Sequence, residues 1–386
     1  MGAKEENSNN SNEFRDFVDN DFSALGSATM EFCTSGIFKE FFSKYCGDRD
    51  GQESQLRKKL EETFKKPLQI KKPNDKNAEK GDVLLSLDAN GNPPELFSEF
   101  KDLLDGQKKK IGLDMPVLLT PSKGTQESSD STESSKPLII IVGESALRTK
   151  LVNDETGIIH VGTPYAVHQV NGYPEQCDRY KYIFAQLLKI SSNESIEGKL
   201  LKKLLLEKVS DNGENPLNNC SIYLTDIIKF WYEGIEIDDF LKKDPSDEIK
   251  HQKTLGVKLF EKELEELLNQ KFGPIYIVAF GNTAQSIIEK MAIEDQGIKY
   301  IPILHPSGQN ADSWKANIYE RALFLWKNRI DTNYAFERYG EEFGLPGETT
   351  SKLIAEEAFL EILEGIIKKN NKMIIKTVQS NNSITE

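Results

Sequence analysis

The chain is poor in the residues that build metal sites or disulfide scaffolds. Its 386 residues include 4 cysteines and 4 histidines. Cys33, Cys46, Cys177 and Cys220 are far apart and form no CxxC pair, which predicts reduced, unliganded thiols and no metal. Long apolar runs are missing too, since none approaches the roughly 18 residues of a membrane-spanning helix. The opening "MGAKEENSNNSNEFRDF" has no apolar leader core, and Glu6 stands where a myristoylation motif takes Ser or Thr. A cytoplasmic location and no membrane partner are expected from this. Positive charge is also scarce: 49 Lys and Arg against 62 Asp and Glu give a net charge of -13. That balance argues against non-specific nucleic-acid binding driven by bulk charge but does not exclude a local basic surface. Neither a GxGxxG nor a P-loop is present, which weighs against an ordinary nucleotide-binding α/β protein.

What is present divides the chain into four parts. Residues 1–119 carry aromatic and apolar residues at helical spacing, as in "GIFKEFFSKY" and "PELFSEFKDLLD", and read as a mainly helical accessory region. Residues 120–136 are rich in Ser and Thr and nearly free of apolar side chains, the composition of a flexible linker. Across residues 137–330 the pattern changes to short β-branched runs, "PLIIIVGES", "SIYLTDIIKF", "IYIVAFGNT" and "YIPILHPSG", separated by helical stretches such as "QCDRYKYIFAQLLKI". Continuous apolar strands alternating with helices predict an α/β fold with a parallel sheet covered on both faces. Residues 331–386 end in the helical run "SKLIAEEAFLEILEGIIKK", a C-terminal extension that packs on the core or carries a partner surface.

Each of the four strands ends in small and polar residues: Gly143-Glu144-Ser145, Thr225-Asp226, Gly281-Asn282-Thr283 and His305-Pro306-Ser307. In open parallel sheets, ligands bind outside the carboxyl ends of the strands, so these residues are the candidate site. Structural roles compete at each position. Glu144 can brace a strand-to-helix turn, and His305 can be a satisfied turn histidine. Tyr165 can be a packing residue, Asp226 a helix cap or half of an ion pair, and Asn282 and Thr283 caps of the following helix.

The ordered set "IIIVGES", "GTPYAV", "YLTDIIKFW", "VAFGNTAQSII" and "ILHPSG" resembles the uracil-DNA glycosylase superfamily. It is most similar to the branch whose motifs run GEAPG, GxPFVG, TNVVK, LGxxA and HPS. The resemblance covers residues 137–330, about half the chain. It implies a three-layer α/β/α sandwich around a four-stranded parallel sheet. It also implies hydrolysis of the bond between a base and deoxyribose, with the target nucleotide flipped out of the DNA; a monofunctional glycosylase of this kind would need no metal or organic cofactor. Carried over by motif, Glu144 would position water and His305 would donate a hydrogen bond to the base; these are the catalytic pair. Tyr165 would stack on the base, Asp226 would read its edge, and Ser145 lies beside them. Ser307, Gly308, Gly281, Asn282 and Thr283 would meet the DNA backbone.

The departures from the pattern are informative. Ala146 replaces the first motif's proline, Leu147 stands where the family has a smaller residue or a Tyr, and the cysteines of the branch's iron–sulfur cluster have no counterparts; no cluster is expected. Asp226 replaces the family's base-reading Asn. An ionised Asp only accepts hydrogen bonds, which suits an exocyclic amine such as that of cytosine; a protonated Asp would restore a donor and a uracil-like reading. Two functions stand at this point. One is a monofunctional DNA glycosylase acting on a uracil-like or modified cytosine-type base, in repair or in defence against phage with modified DNA. The other is a catalytically inactive glycosylase fold that binds nucleic acid or protein, with residues 1–119 or the C-terminal tail as partner surfaces.

Overall fold

A computed structural model of the chain describes residues 83–85, 111–114 and 116–119. It continues with residues 136–145, 159–162, 164–166, 175–191, 217, 219–228, 230–232, individual positions of 250–269, and 272–291, 293–328 and 350–382. The linker at 120–135, the helical expectation for most of 1–119, Cys33, Cys46, Ala146, Leu147 and residues 331–349 lie outside them.

The strands are β1 (Val83–Leu85), β2 (Ile111–Asp114), β3 (Val117–Leu119), β4 (Leu138–Ser145), β5 (Ile159–Gly162), β6 (Ser221–Ile228), β7 (Phe230–Tyr232), β8 (Ile275–Phe280) and β9 (Lys299–Ile303). The main sheet has the order β3-β6-β4-β8-β9. The four predicted strands, β4, β6, β8 and β9, pair in parallel, and β3 runs antiparallel to β6 at its outer side. The sheet is therefore mixed and five-stranded, not four-stranded and wholly parallel. Three residues, "VLL", are too short a signal to read as a strand in the sequence. Burial explains their place, because they pair with an edge that β6, buried at all eight positions, would otherwise expose. A second sheet, β1-β5-β2-β7, was also not foreseen. With β3 it makes the described part of 1–119 strand, not helix.

Helices close both faces of the main sheet. Side chains alternate across a strand, so Ile139, Ile141, Ile222, Leu224, Val278, Phe280, Ile301 and Ile303 share one face and one core cluster. Helix α1 (Glu175–Ser191) adds Tyr180, Ile183, Phe184 and Leu187 at i, i+3, i+4, i+7 spacing. The opposite face meets α2 (Gly281–Ile288) and helical positions that include Phe260, Leu264 and Leu267, all buried. There the hydroxyl of Thr225 donates to fully buried Glu263 at 2.9 Å. The result is the three-layer α/β/α arrangement.

The C-terminal run, α4 (Ser351–Asn382), belongs to the core. Ile354, Ala358, Phe359, Ile362, Leu363 and Ile366 join the α1-side cluster. Helix α4 lies so close on β9 that a Cβ on Gly365 would fall 2.6 Å from Ile301 Cγ2. It also docks on α3 (Ala311–Lys327) through Arg321, whose Nε and Nη1 reach Glu357 at 2.6 Å and Glu364 at 2.5 Å. Asn317 donates to Glu361 at 2.9 Å beside them. Among the described residues, no helix is long and apolar enough to cross a membrane. Removing one partner of a buried, hydrogen-bonded ion pair strands the other charge. Arg321→Met is thus expected to cost about 3 kcal/mol of stability, measured by urea unfolding of the full chain. A change below about 0.5 kcal/mol would mean that α4 does not depend on this contact.

Candidate active site

The parallel strands β6-β4-β8-β9 have chain order 2-1-3-4, so successive connections from β4 leave to opposite sides. The crevice of such a sheet lies at that switch, outside the carboxyl ends of β4 and β8. Glu144, on β4, and Gly281, directly after β8, meet there.

Gly281 is a constrained position. Its φ is +84°, in the left-handed region that favours glycine. A Cβ built on it would fall 2.2 Å from Glu144 Oε1 and 3.2 Å from the Cβ of His305. Two predicted site residues therefore flank one point, which only a glycine leaves open. The Glu144 carboxylate accepts the backbone N–H of Thr283 at 3.3 Å, a long bond from the first turn of α2. Helix N-termini favour such negative charge.

One residue earlier on β4, Gly143 plays the same part for a second pair. A Cβ there would lie 2.2 Å from Asp226 Oδ1 and 3.0 Å from the Tyr165 hydroxyl. Strand alternation explains the division, since Gly143, Asp226 and His305 fall on the α1 side and Glu144 on the α2 side. Asp226 is 3% exposed and Tyr165 5%. The Tyr165 hydroxyl is buried with no hydrogen-bond partner among the described residues. Its pKa is driven well up by burial first, then by Asp226, Tyr180 and Glu144, so it stays protonated. The Tyr165 backbone is left-handed, at φ 60° and ψ 15°, an uncommon state for a residue with a side chain. Its ring packs 4.5 Å from Tyr180 and 5.1 Å from Phe184, centroid to centroid. The expected stacking residue is thus part of the core here, with little free face.

His305 follows β9 on a braced loop. Its carbonyl accepts from Asn310 Nδ2 at 3.0 Å and from Trp314 Nε1 at 3.1 Å. It also takes the Ser307 amide at 2.8 Å. The Tyr180 hydroxyl lies 3.4 Å from Nδ1 and 3.3 Å from Nε2 of the imidazole, the two rings meeting edge to face. Burial, aided by the Arg179 cation, pushes the His305 pKa down to about 4. The imidazole is therefore neutral near pH 7 and keeps one N–H to donate.

The remaining predicted residues are less convergent. Ser307 is 8% exposed, and its hydroxyl accepts from Asn310 Nδ2 at 3.1 Å, so the loop's outer surface is Gly308 and Gln309. Asn282 is exposed on the first turn of α2, while Thr283 is fully buried. Ser145 is half-buried at the end of β4, in register with Ile228. Cys177 and Cys220 are buried. Among the described residues, no group of three or more His, Cys, Asp or Glu is placed to hold a metal ion. Sequence reading missed Arg179 and Tyr180. The signal available was charged and phenolic side chains inside the apolar period of α1.

A family model described as the uracil DNA glycosylase superfamily matches residues 131–324. The chain belongs to that superfamily. Membership carries a DNA glycosylase-like function and DNA as the partner, and it accounts for the α/β fold. No curated protein and no solved structure matches the chain. The match stops before α4, so this glycosylase-superfamily fold is completed by a helix from outside the matched segment.

The titration of His305 has a checkable sign. Its native pKa, about 4, lies below the ordinary value of about 6.5. Between these pH values the unfolded chain binds the extra proton, so stability is full above pH 6.5 and is lost as pH falls towards 4. At about 1.4 kcal/mol per unit, the loss amounts to as much as about 3 kcal/mol. Glu361, raised to about 7 chiefly by burial, works in the opposite direction, its destabilisation growing from about pH 4.5 to 7. The His305→Asn variant isolates the histidine. Its unfolding free energy, measured from pH 7 to 4, should fall less steeply than that of wild type; parallel curves would refute the burial of a neutral imidazole.

Proposed function

We propose that the chain is a monofunctional DNA glycosylase that hydrolyses the N-glycosidic bond of a flipped-out base. The observation that carries this reading is the convergence of Glu144 and His305 on Gly281, with Asp226 adjacent. Cleavage of the bond develops positive charge on the sugar and negative charge on the departing base, as in glycoside hydrolysis. The Glu144 carboxylate offsets the first and orients a water towards C1′. The neutral His305 N–H hydrogen-bonds to the second, and a preorganised donor of this kind contributes on the order of 10²–10³ in rate. The water oxygen bonds to C1′, the C1′–N bond breaks, and the base leaves with the bonding electrons and takes up a proton. The product is an abasic sugar.

The proposed substrate is a modified cytosine-type base, read at its exocyclic amine by the acceptor-only carboxylate of Asp226. Requiring the modification would spare ordinary cytosine, which suits defence against phage carrying modified DNA; repair of a uracil-like lesion is the corresponding role if Asp226 is protonated. A second reading has an observation of its own. The Thr283 amide bond to Glu144 and the closed packing of Tyr165 also suit a glycosylase fold that binds DNA without cleaving it.

Base release from short DNAs carrying uracil, hypoxanthine, or 5-hydroxymethyl- or glucosylated cytosine separates these readings, with abasic sites revealed by alkali. Glu144→Gln and His305→Asn are each expected to lower single-turnover release about 10²-fold or more while DNA binding persists. Asp226→Asn should shift preference from amine-bearing to uracil-like bases by roughly 10–100-fold, the worth of one base-edge contact. Wild-type excision of uracil with no release of the cytosine-type bases would remove the amine reading. DNA binding without any release would leave the binding module.

A further inference from the structure

Arg179 takes no part in the chemistry above, yet it is 8% exposed on α1 directly behind the His305–Gly308 loop. Its Nη1 donates to the Pro306 carbonyl at 3.5 Å and its Nη2 to the Ser351 hydroxyl at 2.9 Å. Both Nη atoms lie 3.8 Å from the point where a Cβ on Gly308 would stand. Ser351 is the first residue of α4, which lies beyond the segment that matches the family. We propose that Arg179 is a positioning residue that clamps the His305–Gly308 loop to the start of α4, making the C-terminal helix a working part of the active site.

The clamp rests on the proposed glycosylase reading for its catalytic consequence, but not for its geometry. A planar guanidinium can hold two acceptors in fixed directions at once, which an ammonium cannot. The fork therefore fixes the loop relative to a helix that is itself locked by the apolar core and by Arg321. Around His305 the relevant groups are Arg179 and Tyr180 from α1, Glu144 from β4, and the Asn310 and Trp314 donors on its own carbonyl. Of these, Arg179 is the one fixed positive charge, and it opposes protonation of the ring. The clamp thus sets the loop's position and adds to the burial that chiefly keeps its histidine neutral.

The test is a histidine ring NMR titration of the full chain, with His305 assigned by His305→Asn, run alongside base-release kinetics. Wild-type His305 should titrate near 4. In Arg179→Gln the midpoint should move up towards the ordinary value, and the acid limb of base release should move with it. Arg179→Lys keeps the charge and loses the fork; its midpoint should stay low while kcat falls roughly tenfold at unchanged KM, the cost of about 1.4 kcal/mol. Ser351→Ala leaves the guanidinium in place and frees its α4 anchor, so it serves if Arg179→Gln fails to fold. It should lower kcat while the midpoint stays low, because the guanidinium charge remains beside the ring. An unchanged midpoint in folded Arg179→Gln, or an unchanged kcat in Ser351→Ala of an active wild type, overturns the clamp. Absence of base release in wild type, with the midpoint shifts intact, would sink the glycosylase reading and leave the clamp standing.

Discussion

The site depends on a missing side chain. At Gly281 a carboxylate from β4 and the loop after β9 approach from opposite faces of the sheet, and there is no room for even a methyl group between them. The positive φ of that residue turns the chain from β8 directly into α2, which aims the Thr283 amide at Glu144. Gly143 repeats the device one position upstream for Asp226 and Tyr165. Two glycines at neighbouring strand ends thus leave room for four candidate site side chains to approach, and the strand order puts those ends at the switch point of the sheet.

Electrostatics then separate the roles. Three groups capable of negative charge, Glu144, Asp226 and Tyr165, lie close together, and burial with their mutual repulsion keeps the phenol neutral. His305 is half-buried, and desolvation first, with Arg179 behind it, holds the ring neutral. A neutral donor and a carboxylate on either side of one point match a reaction that leaves a sugar electron-poor and a base electron-rich.

Much of this was legible in the sequence because buried parallel strands are continuous apolar runs that stop abruptly at polar residues. The ends of β4, β6, β8 and β9 could be read directly, and of their residues Gly143, Glu144, Asp226, Gly281 and His305 are brought close together. The three-residue strands β1, β3 and β7 were not legible, since their pairing is decided by partners far along the chain. Arg179 and Tyr180 were hidden because α1 reads as an ordinary core helix, and their partners, His305, Pro306 and Ser351, lie far along the chain. The closed packing of Tyr165 was equally invisible: a Pro-Tyr pair in a motif says nothing of the aromatic rings that will surround it.

On the proposed reading, Glu144 and His305 address the sugar and the base of one flipped nucleotide. A crystal structure of the full chain bound to DNA bearing a cationic pyrrolidine in place of the target sugar tests it most directly. On that reading the pyrrolidinium nitrogen is expected within about 3 Å of a Glu144 oxygen, at charge-assisted hydrogen-bond distance, with the His305 ring on the side from which the base has left. An abasic analogue lodged away from the ends of β4 and β8, or a Glu144 still held on the Thr283 amide and turned from the ligand, would contradict it.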